Sequence, residues 1–324
     1  MKPLVIVTRK LPQSVEDRMS ELFNVRLNND DHIFSTDELQ AAVEQAHVLV
    51  SSVTEKIDAE LLKYAGEDLK MIANYGVGVD HIDLNAARNK FITVTNTPGV
   101  LTEDTADMAI ALLLGVTRRM SEGERLLRAG KWKKWSPTGM LGMRLSDKKI
   151  GIIGMGRIGQ SFAKRAKAFG LSIHYHNRHQ LDQDTEEKLG ATYWNSLDQM
   201  ISQMDIISMN CPYTPDTHHI MSKRRIGLMQ PHSYLINTAR GDVIEEGALI
   251  EVLEKKSIAG AGLDVFENEP DVNPRFFKLD NVVLAPHMGS ATEEARVAMG
   301  EKVLVNVKTF IDGHSPRDRV LPTS

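Results

Sequence analysis

The chain has 324 residues, enough for two domains of ordinary size, and its 42% hydrophobic and 25% charged residues are those of a folded globular protein. A net charge of −4, a pI near 6.3 and the lack of any basic run argue against a nucleic-acid surface. Cys211 is the only cysteine, so no internal disulfide is possible, and a reducing compartment, the cytoplasm, is the expected location. The opening MKPLVIVTRKLP reads as a strand and not as a signal peptide, and no apolar run approaches the roughly 18 residues of a membrane span.

In chain order, short apolar runs alternate with helical stretches. The first are PLVIV (3–7), HVLVSS (47–52), LKMIAN (69–74) and FITVTN (91–96). Between them STDELQAAVEQA (35–46) carries a capping box, in which the Ser35 hydroxyl and the Glu38 carboxylate satisfy N–H groups of the first turn. TPGV (97–100) is a turn and hinge candidate. The stretch 102–132 reads as one long helix, capped by Thr102, with Glu103 and Asp104 at its positive end. A second series of strands begins at KIGIIG (149–154). It runs through LSIHYH (171–176), ATYW (191–194), DIISMN (205–210), SYLIN (233–237), AGAGLDV (259–265) and NVVLAP (281–286). A final helix is expected over 293–313. Strands this apolar need cover on both faces, so the pattern predicts an α/β protein with two doubly wound parallel sheets in succession.

GMGRIG (154–159) matches the G-x-G-x-x-G fingerprint in its proper setting, after a buried strand and before a helix. Gly154 permits the tight turn, Gly156 lets the backbone approach a pyrophosphate, and Gly159 lets helix and strand pack closely. The N–H groups of Arg157 and Ile158 then face the phosphates at the positive helix end. About 20 residues further on, such folds usually place an acid that accepts bonds from the ribose 2′-OH. Here the strand ends in Asn177, Arg178 and His179. An arginine favours a 2′-phosphate, so NADP(H) is the preferred cofactor and NAD(H) remains possible.

NTARGDVI (237–244), GLDVFENEP (262–270) and APHMGSAT (285–292) each follow an apolar strand, where open α/β sheets bind ligands. His287 suits a proton donor near neutral pH, Glu269 a carboxylate that holds its tautomer and raises its basicity, and Arg240 a guanidinium for a carboxylate and a carbonyl oxygen. Taken singly, each also has a plainer reading: a structural histidine, a helix-capping arginine, a glutamate in a turn before Pro270.

Six motifs decide between these readings. NYGVGVDHID (74–83), TPGVLTEDTADMAIAL (97–112), GIIGMGRIG (151–159), LINTARGDVI (235–244), GLDVFENEP (262–270) and PHMGSAT (286–292) stand in an order and spacing that resemble the D-isomer-specific 2-hydroxyacid dehydrogenases. The likeness covers nearly the whole chain and is strongest to the glyoxylate/hydroxypyruvate reductase branch. It implies a catalytic trio of Arg240, Glu269 and His287. It also implies a substrate-carboxylate cradle at Val77, Gly78 and Val79, suited to an anion by its backbone N–H groups beside glycine.

Further roles follow from the same likeness. Thr105 contacts the phosphates, Cys211 and Pro212 line the adenosine side, Thr238 and Ala239 flank the nicotinamide, and Asp264 holds its carboxamide. The residues themselves suggest that Cys211 serves as a small buried hydrophobe. The family topology implies a flavodoxin-like substrate domain of 1–98 plus 290–324 and a Rossmann cofactor domain of 99–289. It also implies a homodimer built on the long helix and 130–145. Either Trp132 or Trp135 then reaches the partner's active site, or both serve as interface anchors. No metal is expected. Formate dehydrogenases of the superfamily have Gln where Glu269 stands, which argues against formate oxidation. The chain stops soon after its last helix, so the regulatory domain of many phosphoglycerate dehydrogenases, and feedback by serine, are not expected.

The expected activity is NADPH-dependent reduction of glyoxylate and hydroxypyruvate to D-2-hydroxy acids. A 2-ketogluconate reductase is the alternative within the enzymes. A dinucleotide-sensing co-repressor, which shares the fold and the trio, is the alternative of another class.

Overall fold

The computed structural model describes residues 2–322. They form two compact units, one made by the residues up to Leu101 with those from Ser290 onward, the other by Thr102–Gly289.

The first unit is built on a parallel sheet of five strands: β1 (Leu4–Val7), β2 (Asn24–Arg26), β3 (Val48–Ser51), β4 (Met71–Asn74) and β5 (Thr93–Thr95). Their order is β2-β1-β3-β4-β5, the flavodoxin-like arrangement. β3 and β4 are buried along their whole length, as expected of central strands with helices on both faces. Ile6, Leu49 and Ile72 lie at the centre, packed with Val43, Leu62 and Leu69. Each such side chain contributes about 1.5–3 kcal/mol by leaving water. The capping box at Ser35 is present: the Glu38 N–H donates to Ser35 Oγ at 3.3 Å, and the Ser35 N–H to Glu38 Oε2 at 2.7 Å. β2 was not expected from sequence. It is a three-residue edge strand, NVR, and an edge strand open to water needs no apolar signature.

The second unit carries seven parallel strands: β6 (Lys149–Ile153), β7 (Ser172–His176), β8 (Ala191–Tyr193), β9 (Ile206–Met209), β10 (Tyr234–Asn237), β11 (Gly260–Leu263) and β12 (Val282–Leu284). Their order, β12-β11-β10-β9-β6-β7-β8, is doubly wound, with the direction of winding reversing between β6 and β9. Period-two alternation feeds two cores. Ile150, Ile152, Ile206 and Ile236 join Leu112 and Phe162 on one face; Ile153, Ile207 and Leu235 join Leu249 and Leu253 on the other.

The long helix expected over 102–132 is two helices, Thr102–Thr117 and Met120–Arg128. The ladder is diverted at Thr117, whose carbonyl accepts from the Met143 N–H at 2.9 Å. Arg119 then turns left-handed, with φ +54°, and Glu122 clamps its guanidinium. A contact from a segment 26 residues beyond Thr117 accompanies this break, so no local signal marked it. Thr102 is the first residue of the helix and not the residue before it. The last helix spans Glu293–Ile311. Among the described residues no helix is long and apolar enough to cross a membrane.

Candidate active site

In the second unit the strands deliver their C-terminal ends to one edge of the sheet, and the residues singled out from sequence cluster there. β6 runs into the glycine loop, and the helix Arg157–Ala168 leaves it. Gly154 has φ +96°, a conformation L side chains rarely adopt. A Cβ there would also lie 2.5 Å from the Cys211 backbone nitrogen. Gly159 packs its helix on the loop, for its Cβ would fall 2.3 Å from the Gly154 carbonyl oxygen. Gly156 differs, with nothing within 4 Å of a built Cβ. It caps the helix without any side-chain bond, so the first-turn N–H groups, including those of Arg157 and Ile158, are left for an external acceptor.

β7 ends beside this loop. Asn177 Oδ1 accepts from the Met155 N–H at 2.7 Å, so this carboxamide ties the strand tip to the glycine loop. Arg178 and His179 are exposed, and Arg178 makes no hydrogen bond or ion pair among the described residues. Cys211 is buried, its thiol pushed up to about 11 by loss of solvent, which leaves it the inert small hydrophobe expected. Pro212 beside it is exposed, its carbonyl taken by the Thr217 hydroxyl at 2.7 Å.

Two buried polar atoms at this edge have no partner among the described residues: Asn210 Oδ1, just past β9, and Thr238 Oγ1, just past β10. Buried polar atoms without partners are rare and usually mark a place where a ligand or water bonds. Together with the open backbone at Gly156, they make the residues present a fit for a dinucleotide. No group of three or more His, Cys, Asp or Glu side chains among the described residues is arranged to hold a metal ion.

The turn after β10 is shaped by Asn237, which sequence reading had passed over. Its side chain is buried, accepts from the Ala239 N–H at 3.0 Å and donates to the Arg240 carbonyl at 2.8 Å. A carboxamide at the buried end of a strand must find such partners, which was the available signal. Arg240 is half-buried, with Nη1 donating to the Ala239 carbonyl at 2.8 Å. The next residue must be glycine: a Cβ at Gly241 would sit 1.9 Å from the Phe266 carbonyl carbon.

Asp264, buried after β11, organises the histidine turn. Its carbonyl accepts from the His287 N–H at 2.8 Å, while Oδ1 and Oδ2 accept from the Met288 and Gly289 N–H groups at 2.7 and 2.8 Å. Burial raises its carboxyl above the usual range, against the lowering effect of these bonds. His287 itself has φ +49°, a left-handed conformation that costs on the order of 1 kcal/mol and persists because Asp264 holds both sides of it. Thr105, on the helix Thr102–Thr117, lies against Gly289 in the same corner.

His287 Nδ1 lies 2.6 Å from Glu269 Oε2, and Glu269 Oε1 accepts from the Phe266 N–H at 2.9 Å. Burial pushes the Glu269 carboxyl up, but the His287 bond and charge, the Phe266 N–H and the nearby Arg240 charge outweigh it, so the group sits below its ordinary value. The two side chains are 33% and 32% exposed, so water or substrate reaches them. His287 Nε2 has no partner among the described residues. Thus one ring nitrogen is held by a carboxylate and the other is open, the arrangement of a general acid.

In the first unit, Val77, Gly78 and Val79 form the turn after β4. Their N–H groups have no acceptor among the described residues.

The model of the D-isomer specific 2-hydroxyacid dehydrogenase NAD binding domain matches residues 110–289. The chain is 45% identical over 324 residues to a glyoxylate reductase of Thermococcus litoralis, covering 99% of this chain and 97% of that one. Among solved structures, a Thermus thermophilus protein superposes with a TM-score of 0.90 at 41% identity, covering 98% of this chain and 100% of that one. The NADPH-dependent glyoxylate/hydroxypyruvate reductase of Sinorhizobium meliloti, in complex with NADP and malonate, gives 0.87 at 34% identity, covering 99% and 97%. The chain therefore belongs to the D-isomer specific 2-hydroxyacid dehydrogenase family. It is an oxidoreductase that binds a nicotinamide dinucleotide, and its relatives include the glyoxylate reductases.

Proposed function

We propose that this protein is an NADPH-dependent reductase of small 2-oxo acids, with glyoxylate to glycolate and hydroxypyruvate to D-glycerate as its leading reactions. The observation that carries the reading is the 2.6 Å bond between His287 Nδ1 and Glu269 Oε2 with Nε2 left open. We assign cofactor binding to the domain 99–289 and acid binding to 1–98 with 290–324.

When bound, a reduced nicotinamide dinucleotide would supply the hydride for C2 of the 2-oxo acid. The N–H groups at the start of the helix Arg157–Ala168 bind its phosphates, with Thr105 assisting. Pro212 and Cys211 line the adenosine, and Thr238, Ala239 and Asp264 the nicotinamide. Asn177 and the uncommitted Arg178 take the 2′-phosphate, and the missing acid removes the repulsion that would reject it. The backbone N–H groups of Val77, Gly78 and Val79 take the substrate carboxylate, and Arg240 takes the carboxylate and polarises the carbonyl. His287 Nε2 gives its proton to the forming alkoxide, while Glu269 stabilises the protonated ring. A His287→Asn protein should reduce glyoxylate about 10²–10⁴-fold more slowly while binding NADPH as before. Unchanged turnover would overturn the assignment.

We also propose a homodimer in the cytoplasm. The helix Met120–Arg128 buries none of its residues, and Met120, Leu127, Trp132, Trp135 and Leu141 are all exposed in this region, a patch that suits a second copy of the chain.

A further inference from the structure

We propose that Asn74, oriented by His81, is the positioning residue that turns the Val77–Val79 backbone into an anion cradle. The inference rests on the reading above and assigns that cradle its cause.

Asn74 ends β4 and is completely buried. A buried carboxamide is tolerated only when its donors and acceptor are satisfied. Here Nδ2 donates to the Gly76 carbonyl at 3.0 Å and to the Gly78 carbonyl at 2.9 Å, and Oδ1 faces His81 Nε2 at 3.1 Å. Since Oδ1 can only accept, the His81 contact fixes which way the carboxamide points and places the ring proton on Nε2. The neighbouring strand completes the set. Ala73 pairs with Thr95, so the residues that follow them, Asn74 and Asn96, leave the sheet side by side. Asn96 Nδ2 donates to the Val77 carbonyl at 2.8 Å, and the Thr97 N–H to the Gly76 carbonyl at 2.9 Å.

Three successive carbonyls, of Gly76, Val77 and Gly78, are thereby pulled toward the sheet. In a planar trans peptide the C=O and the following N–H point in opposite directions. Carbonyls 76, 77 and 78 turned inward therefore aim the N–H groups of 77, 78 and 79 outward, and those three have no acceptor among the described residues. The side chain behind the loop builds the cradle in front of it. Only a carboxamide supplies two donors and one acceptor at this spot. An aspartate would set a negative charge against two carbonyls and behind the bound anion.

The test compares wild type with Asn74→Asp, and with His81→Leu and His81→Gln, the last keeping an N–H donor toward Oδ1. The steady-state readouts are KM and kcat for glyoxylate and KM for NADPH. Binding of oxalate to the enzyme with NADPH, by calorimetry, is read alongside, so that the cradle is probed whether or not turnover occurs. Asn74→Asp should raise the glyoxylate KM and the oxalate dissociation constant by about ten- to hundred-fold, the loss of one bond to a charged group. It should leave the NADPH KM unchanged and kcat within about threefold. His81→Leu should follow in the same direction, and His81→Gln should restore most of the loss. If the Asn74 variant does not fold, the two His81 variants decide. Unaltered oxalate and glyoxylate affinity, or equal losses for acid and dinucleotide, overturns the inference. Oxalate binding that is lost in Asn74→Asp, in a wild type that turns over no acid, upholds the cradle and refutes the proposed activity instead.

Discussion

Replacing Glu269 by glutamine probes the acid–base pair most sharply, because the substitution changes charge and leaves shape nearly intact. The Phe266 N–H would still find the amide oxygen, so the turn at 266–269 should persist. The amide nitrogen would then face His287 Nδ1, where the carboxylate now lies at 2.6 Å. An amide N–H₂ cannot accept from a protonated ring, so the doubly protonated form loses its support. A hydrogen bond to a charged group contributes about 1.5–3 kcal/mol, and partial exposure of both side chains puts this pair at the lower end. Losing about 1.5 kcal/mol of support for the protonated pair should lower kcat/KM for 2-oxo acid reduction about tenfold above neutral pH, with the basic limb displaced to lower pH. The sign follows from the direction of the reaction: reduction needs the pair to hold a proton, and a weaker hold loses it at lower pH. The Glu269 carboxyl lies below its ordinary value of about 4.3, so its support persists through neutral pH and fades only as pH falls through that lowered value. The assay is the pH profile of kcat/KM for glyoxylate in both proteins. An identical basic limb in Glu269→Gln would refute the relay.

Three other perturbations test separate parts of the account. Arg178→Ala should weaken NADPH binding about ten- to hundred-fold, leaving NADH within about twofold, by fluorescence titration of the reduced dinucleotides; equal losses would dissociate Arg178 from the 2′-phosphate. Gly241→Ala forces a methyl to 1.9 Å from the Phe266 backbone and should lower the melting temperature by roughly 5–10 °C in calorimetry. An unchanged melting temperature would mean the two turns are not locked together as described. Leu127→Glu places a charge on the exposed face of the helix Met120–Arg128 and should yield monomers by light scattering. A dimer that survives would move the interface elsewhere.

Most of the sheet architecture was legible because parallel strands announce themselves as short apolar runs, and β1 and β3 to β12 were all expected on that ground. β2 and the break at Arg119 were not. The first is a polar edge strand, and the second depends on the Met143 N–H reaching the Thr117 carbonyl across the chain. Likewise, the motifs pointed to Glu269 and His287, and the structure places them in hydrogen-bond contact. They said nothing of the residues that hold the turns, Asn237 behind Arg240 and Asn74 behind Val77–Val79. A carboxamide's role lies in which carbonyls it meets, and that is a property of three dimensions. Asn177, proposed above as a contact of the 2′-phosphate, also ties β7 to the glycine loop through the Met155 N–H, a role its sequence position did not reveal.

The most direct measurement is the initial rate of loss of reduced-nicotinamide absorbance with glyoxylate, hydroxypyruvate and 2-ketogluconate, each with NADPH and with NADH. Glyoxylate and hydroxypyruvate should both turn over, and faster with NADPH. Turnover favouring NADH would contradict the role given to Arg178, and no turnover with any pair would contradict the enzyme itself.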